Sequence, residues 1–169
     1  NATDSLDFRG IHCHIGSQIF EAEGFEQAAT TALEFMNRLN RDLGVTLPEL
    51  DLGGGYGIGY TEADRPRSIT EVTESIAASV AATCERLGME IPHMSFEPGR
   101  SISGPSGATL YTVGTIKNVS IEDENGEIRV RRYVSVDGGM SDNARPVLYE
   151  SDYSVTLANR APAGEQVLS

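Results

Sequence analysis

Three short clusters hold residue types that do chemistry: His12-Cys13-His14 with Gly16 and Ser17, the run Gly53-Gly54-Gly55 followed by Gly57 and Gly59, and Glu97-Pro98-Gly99-Arg100. A fourth segment, Asp137 to Tyr149, places Arg145 four residues before a tyrosine. The glycine run departs from the dinucleotide fingerprint, because Ile58 stands where the last glycine belongs, and it lacks the Gly-Lys-Ser/Thr of a phosphate loop. A flexible loop is its plain reading. Its functional reading is a set of backbone N–H groups free of side chains, able to approach the phosphate of a small cofactor closely. His12 and His14 share a strand face and resemble the His-x-His of metal-dependent hydrolases. The one other histidine, His93, follows Pro92 at the start of its strand, at the far end of a sheet, so no metal is expected. Structural burial accounts for one of the pair, and His14 is equally suited to lie as a flat ring over a ligand. Glu97 has the default reading of an exposed carboxylate. At the mouth of a sheet it would also keep an aromatic cofactor nitrogen protonated, which makes the ring a strong electron sink. Arg100 and Arg145, set in an acidic chain, are suited to bidentate capture of a substrate carboxylate.

These clusters need elements that bring them together, and the hydrophobic pattern supplies them. Short apolar strands are expected at about 6–15, 49–52 and 93–96, and their ends at 14, 53 and 97 recur about forty residues apart, the spacing of βα units on a parallel sheet. Between them run two amphipathic helices. The first, about 24–43, carries Phe25, Ala28, Ala29, Ala32, Leu33, Met36, Leu39 and Leu43 on one face and stops at Gly44. The second opens at Ser68, which has capping-box spacing to Glu71, is expected to bury Ile69, Val72, Ile76, Val80, Cys84 and Leu87, and stops at Gly88. Ligands of such sheets sit at the C-terminal ends of the strands, where all three clusters fall. Past residue 108 the chain turns β-branched, with strands at 109–121 and 128–136 joined through Asn125-Gly126, a hairpin signal, and a weaker strand at 153–157. The reading is therefore α/β over 1–108 and the beginning of a second, β-rich domain over 109–169.

Composition narrows the partners. With 25 acidic against 13 basic residues in 169, the net charge is −12, which excludes a counterion-releasing nucleic-acid surface or an anionic-membrane surface. No run of about 18 apolar residues and no leader pattern is present. Cys13 and Cys84 sit in apolar contexts that suit reduced thiols, and a cytoplasmic location is expected. Only one lysine, Lys117, occurs in the chain.

His14-Ile15-Gly16-Ser17-Gln18, Leu50-Asp51-Leu52-Gly53-Gly54-Gly55, Glu97-Pro98-Gly99-Arg100 and Met140-Ser141-Asp142-Asn143 with Arg145-Pro146 and Leu148-Tyr149, in this order, resemble the diaminopimelate decarboxylases. These belong to the alanine-racemase-like group of pyridoxal-phosphate enzymes, which also holds the ornithine and arginine decarboxylases. The first and last motifs are the specific ones, and the resemblance covers essentially the whole chain. It implies the C-terminal part of a (β/α)8 TIM-type barrel, its last three βα units over 1–108, followed by the start of a β-domain. It implies pyridoxal 5'-phosphate as cofactor, with His14 stacked on the ring, Ser17, Gly54, Gly55, Gly99 and Arg100 at the phosphate, and Glu97 on the pyridine nitrogen. Arg100, Arg145 and Tyr149 would take the carboxylates of a diamino diacid. The implied reaction is decarboxylation of meso-2,6-diaminopimelate to L-lysine and CO2, the last step of lysine biosynthesis. The other decarboxylases of the group, acting on ornithine, arginine or carboxynorspermidine, and a non-catalytic regulatory homologue are the rival readings. The family's Schiff-base lysine lies near the start of its barrel, whereas Lys117 falls on a β-domain strand. A Cys-Glu-Ser segment that the partner subunit contributes is expected beyond residue 169. The chain therefore reads as an internal fragment, inactive by itself, of an enzyme that is a homodimer with a site shared between subunits.

Overall fold

The computed structural model describes residues 5–160, and the chain divides into two compact units between Gly107 and Ala108. In the first, strands β1 (Gly10–His12), β2 (Glu49–Asp51) and β3 (His93–Ser95) form a parallel sheet in that order, with His12 level with Asp51 and Asp51 level with Ser95. Helices α1 (Glu23–Leu43) and α2 (Ile69–Leu87) connect them. Both helices bury the middle of the stripe that the sequence pattern marks: Phe25, Ala29, Leu33 and Met36 from α1 and Val72, Ile76, Val80 and Cys84 from α2 join Leu50 and Leu52 in one core, while Leu43 and Ile69, at the helix termini where the stripe runs past the sheet, are exposed. Their rims are tied by Arg86 to Glu34 at 2.8 Å and by Ser75 to Glu26. Gly44 and Gly88 close the helices in the left-handed conformation expected of such caps. Among the described residues no helix is long and apolar enough to cross a membrane.

The capping box forms in full. Ser68 Oγ accepts from the Glu71 amide at 3.2 Å, and the Glu71 carboxylate accepts from the Ser68 amide at 3.0 Å. Ser68→Ala should lower the unfolding free energy of the protein by about 1 kcal/mol, measured by urea denaturation; an unchanged midpoint would mean that α2 draws its start from packing alone.

Two expectations are corrected. The first strand is three residues long rather than ten, because its only ladder partner among the described residues, β2, starts after Pro48 and ends where Gly53 turns at φ +65°. Leu6 and Phe8, apolar but beyond the reach of that ladder, are exposed. The segment 153–157 forms no strand, since alternation marks two faces but supplies no pairing partner.

In the second unit β4 (Val113–Glu122) and β5 (Ile128–Val136) pair antiparallel across the expected turn, where Gly126 takes φ +80° and Asp123 Oδ1 accepts from the amides of Asn125 and Glu127. The polar segment that follows contains a five-residue helix, α4 (Arg145–Tyr149), entered through Pro146.

Candidate functional site

The exits of the three parallel strands carry the predicted chemistry. Interstrand bonds run past the strand ends, from the Cys13 amide to Asp51 O at 2.9 Å, from Leu52 to Ser95 O at 3.1 Å and from Glu97 to Gly53 O at 2.8 Å. His14, Gly53 and Glu97 therefore leave the sheet at one level. The His14 ring is exposed, and its Nδ1 accepts from the Gly54 amide at 3.3 Å, which orients the imidazole while leaving its face open.

The glycines do work the sequence reading did not assign. A Cβ on Gly54 would collide with the carbonyl oxygen of Glu97, one on Gly55 with that of Gly16, and one on Gly53 with that of Cys13. Gly53 and Gly55 also hold φ of +65° and +102°. The loop leaving β2 thus threads between the loops leaving β1 and β3 in backbone contact with both, which only glycine permits. Gly99, by contrast, opens α3 (Gly99–Ser103) with nothing within 4 Å of its Cβ direction, and its amide donates to Glu97 O at 2.8 Å.

Glu97 extends a carboxylate that is 57% exposed toward His12, whose Nε2 lies 3.4 Å from Oε2. Asp51 joins them, so that one donor atom from each of His12, Asp51 and Glu97 falls within 4.8 Å of the others. His12, weighed from the sequence only as half of a His-x-His pair, and Asp51, quoted only inside a motif, were not assigned a place beside Glu97. The available signal was alternation: each lies two residues before a residue of the strand exit and so on the same face. His93 stands at the opposite end of the sheet, level with Glu49 at the start of β2. Beneath the site Tyr56 is stacked on Phe25 at 4.5 Å, and its hydroxyl is pushed up to about 12, chiefly by burial and then by the charges of Asp51 and Cys13. Burial and Asp51 also raise the Cys13 thiol, which keeps it protonated and unreactive.

Gln18, quoted only as the last residue of a motif, makes three contacts in the structure. Its Nε2 donates to Ile58 O at 2.6 Å, and its Oε1 accepts from the Ile58 amide at 3.3 Å and from Arg100 Nη1 at 3.1 Å. Ser17 beside it is exposed. In the second unit the Arg145 guanidinium lies over the Tyr149 ring at 5.1 Å, and Lys117 sits on β4 opposite Tyr133.

Residues 1–104 match the family model of the pyridoxal-dependent decarboxylase, pyridoxal binding domain. The chain belongs to this family. Over 162 residues, 96% of this chain and 34% of the relative, it is 51% identical to a diaminopimelate decarboxylase of Corynebacterium efficiens; over 158 residues, 94% and 34%, it is 44% identical to that of Bacillus subtilis. The crystal structure of diaminopimelate decarboxylase from M. jannaschii superposes with a TM-score of 0.65 at 28% identity, covering 85% of this chain and 30% of that one. This member of the pyridoxal-dependent decarboxylases thus spans about a third of the length of the curated relatives it matches.

The strand exits fit the family's cofactor. A pyridine ring nitrogen asks for a reachable acid, and the Glu97 carboxylate is more than half exposed with a single long contact, from His12. A flat ring asks for an open aromatic face, which His14 presents in a fixed orientation. A phosphate asks for close backbone approach, which the open side of Gly99 allows.

Proposed function

We propose that the chain is the part of a diaminopimelate decarboxylase that holds the cofactor ring and part of the substrate site. In this reading 1–108 forms the last three βα units of a (β/α)8 barrel and 109–169 begins the C-terminal β-domain. The observation that carries the substrate is the reach of the similarity: the family model ends at residue 104, but the likeness to diaminopimelate decarboxylases runs through both units. A buried donor supports it. Arg145 Nε is shielded from solvent with no hydrogen-bond partner among the described residues, a cost that a bound carboxylate would repay.

Bound pyridoxal phosphate supplies the sink for the electron pair left when CO2 departs. Glu97 holds the proton on the ring nitrogen, and without that proton the ring withdraws electrons poorly. His14 covers one ring face. Ser17 and the backbone of Gly54, Gly55, Gly99 and Arg100 bind the phosphate, while Arg100, Arg145 and Tyr149 bind the substrate carboxylates. The lysine that anchors the cofactor belongs to a segment outside this chain, since Lys117 is exposed on a hairpin strand. The working enzyme is a cytoplasmic homodimer with a site shared between subunits.

Competition among meso-diaminopimelate, ornithine and arginine in the full-length enzyme tests the reading. Ornithine lacks the second carboxylate, and a site built to pair that group rejects a substrate without it by about 10⁴-fold. Expected is kcat/KM higher for meso-diaminopimelate by that order; preference for ornithine or arginine overturns the assignment.

A further inference from the structure

We infer that Gln18 is a positioning residue that aims the Arg100 guanidinium at an anionic group of the substrate, an inference that rests on the carboxylate-binding role proposed for Arg100. Gln18 is one of two non-glycine residues with positive φ among those described, at +61°, a conformation that a glutamine holds only when its surroundings demand it. What the conformation achieves is visible in its contacts. The side-chain amide pairs with both backbone groups of Ile58, extending the bridge that joins Ile19 to Tyr56, where the Ile19 amide donates to Gly55 O and the Gly57 amide to Ile19 O. The loop after β2 is thereby locked to the loop after β1.

The same Oε1 accepts from Arg100 Nη1 at 3.1 Å, while the guanidinium lies over the Tyr60 ring at 5.8 Å and Ser101 Oγ donates to Tyr56 O. One amide thus joins the exits of all three strands. The chemistry of the acceptor matters as much as its place. Among the described residues Arg100 makes no ion pair. A neutral amide and an aromatic face fix the guanidinium plane without cancelling its charge, and the remaining N–H donors are left for a carboxylate. A glutamate in this place would hold Arg100 equally well and neutralise it.

The test is a double-mutant cycle in the pyridoxal-phosphate-loaded full-length enzyme, read by calorimetric binding of pimelate, a dicarboxylate without amino groups that cannot turn over. Gln18→Asn keeps a residue that accepts positive φ but shortens the amide by one methylene. It should weaken pimelate binding about tenfold, in line with the sensitivity of bound geometry to displacements of about an ångström. Arg100→Ala should weaken it at least as much, and the double variant no further than Arg100→Ala alone. Additive losses, or undiminished affinity in Gln18→Asn, overturn the positioning role while the carboxylate role of Arg100 stands. If Arg100→Ala itself binds pimelate normally, that underlying role fails and the inference falls with it. Should Gln18→Asn not fold, Gln18→Gly, whose backbone takes this φ freely, carries the same cycle.

Discussion

Glu97→Gln in the full-length enzyme is expected to lower kcat by about 10²- to 10³-fold, the loss seen when one preorganised electrostatic contact is removed from a reaction centre. The substitution conserves shape. It leaves the Glu97 backbone bonded to Gly53 O at 2.8 Å and the Glu97 carbonyl accepting from Gly99, so the loop keeps its course. What it removes is the negative charge proposed to face the ring nitrogen, and with it the preference for the protonated ring. The cofactor should stay bound, because the contacts proposed for its phosphate and for His14 do not involve this carboxylate. Steady-state kinetics with the absorbance of bound cofactor measure both quantities on one sample. Turnover at the parent rate would refute the proton-holding role, and loss of the cofactor would show that Glu97 serves mainly as an anchor.

The second large effect is on architecture. Gly54→Ala is expected to destabilise the enzyme by about 1–3 kcal/mol, the range for an added group in a space already filled, and to displace Glu97. Its Cβ would meet a backbone carbonyl rather than a side chain that can swing away. Relief requires the loops after β2 and β3 to part, which lengthens the bond from the Glu97 amide to Gly53 O. Gly99→Ala provides the contrast. Nothing lies within 4 Å of its Cβ direction, so stability should change by no more than about 0.5 kcal/mol, while cofactor affinity falls if the phosphate rests there as proposed. Thermal unfolding and cofactor titration on the two variants separate packing from binding; equal stability losses would contradict the distinction drawn between these glycines.

The ease of reading varied with the range of the interactions involved. Ser68 and Glu71, Gly44 and Gly88, and the buried stripes of α1 and α2 depend on residues within one or two turns, so periodicity and cap chemistry located them. The Asn125-Gly126 turn is equally local. The extent of β1 depends on a partner 39 positions away, and there the apolar pattern overstated it. The segment 153–157 failed for the same reason.

At the site the division is similar. His14, Glu97, Arg100 and the glycine run could be picked out because each is an unusual residue at the end of an apolar strand. The sequence by itself thus determined the elements, their order, and the residue types delivered to the strand exits. Only the tertiary structure decided how those residues are used. It brought His12 and Asp51 beside Glu97, committed the three glycines to backbone contacts between loops, and made Gln18 the tie among the strand exits. Such contacts join residues from 39 positions apart, as Gly16 and Gly55, to 85, as His12 and Glu97. No local propensity encodes them; they follow from the register of three parallel strands and from the space left where glycine has no side chain.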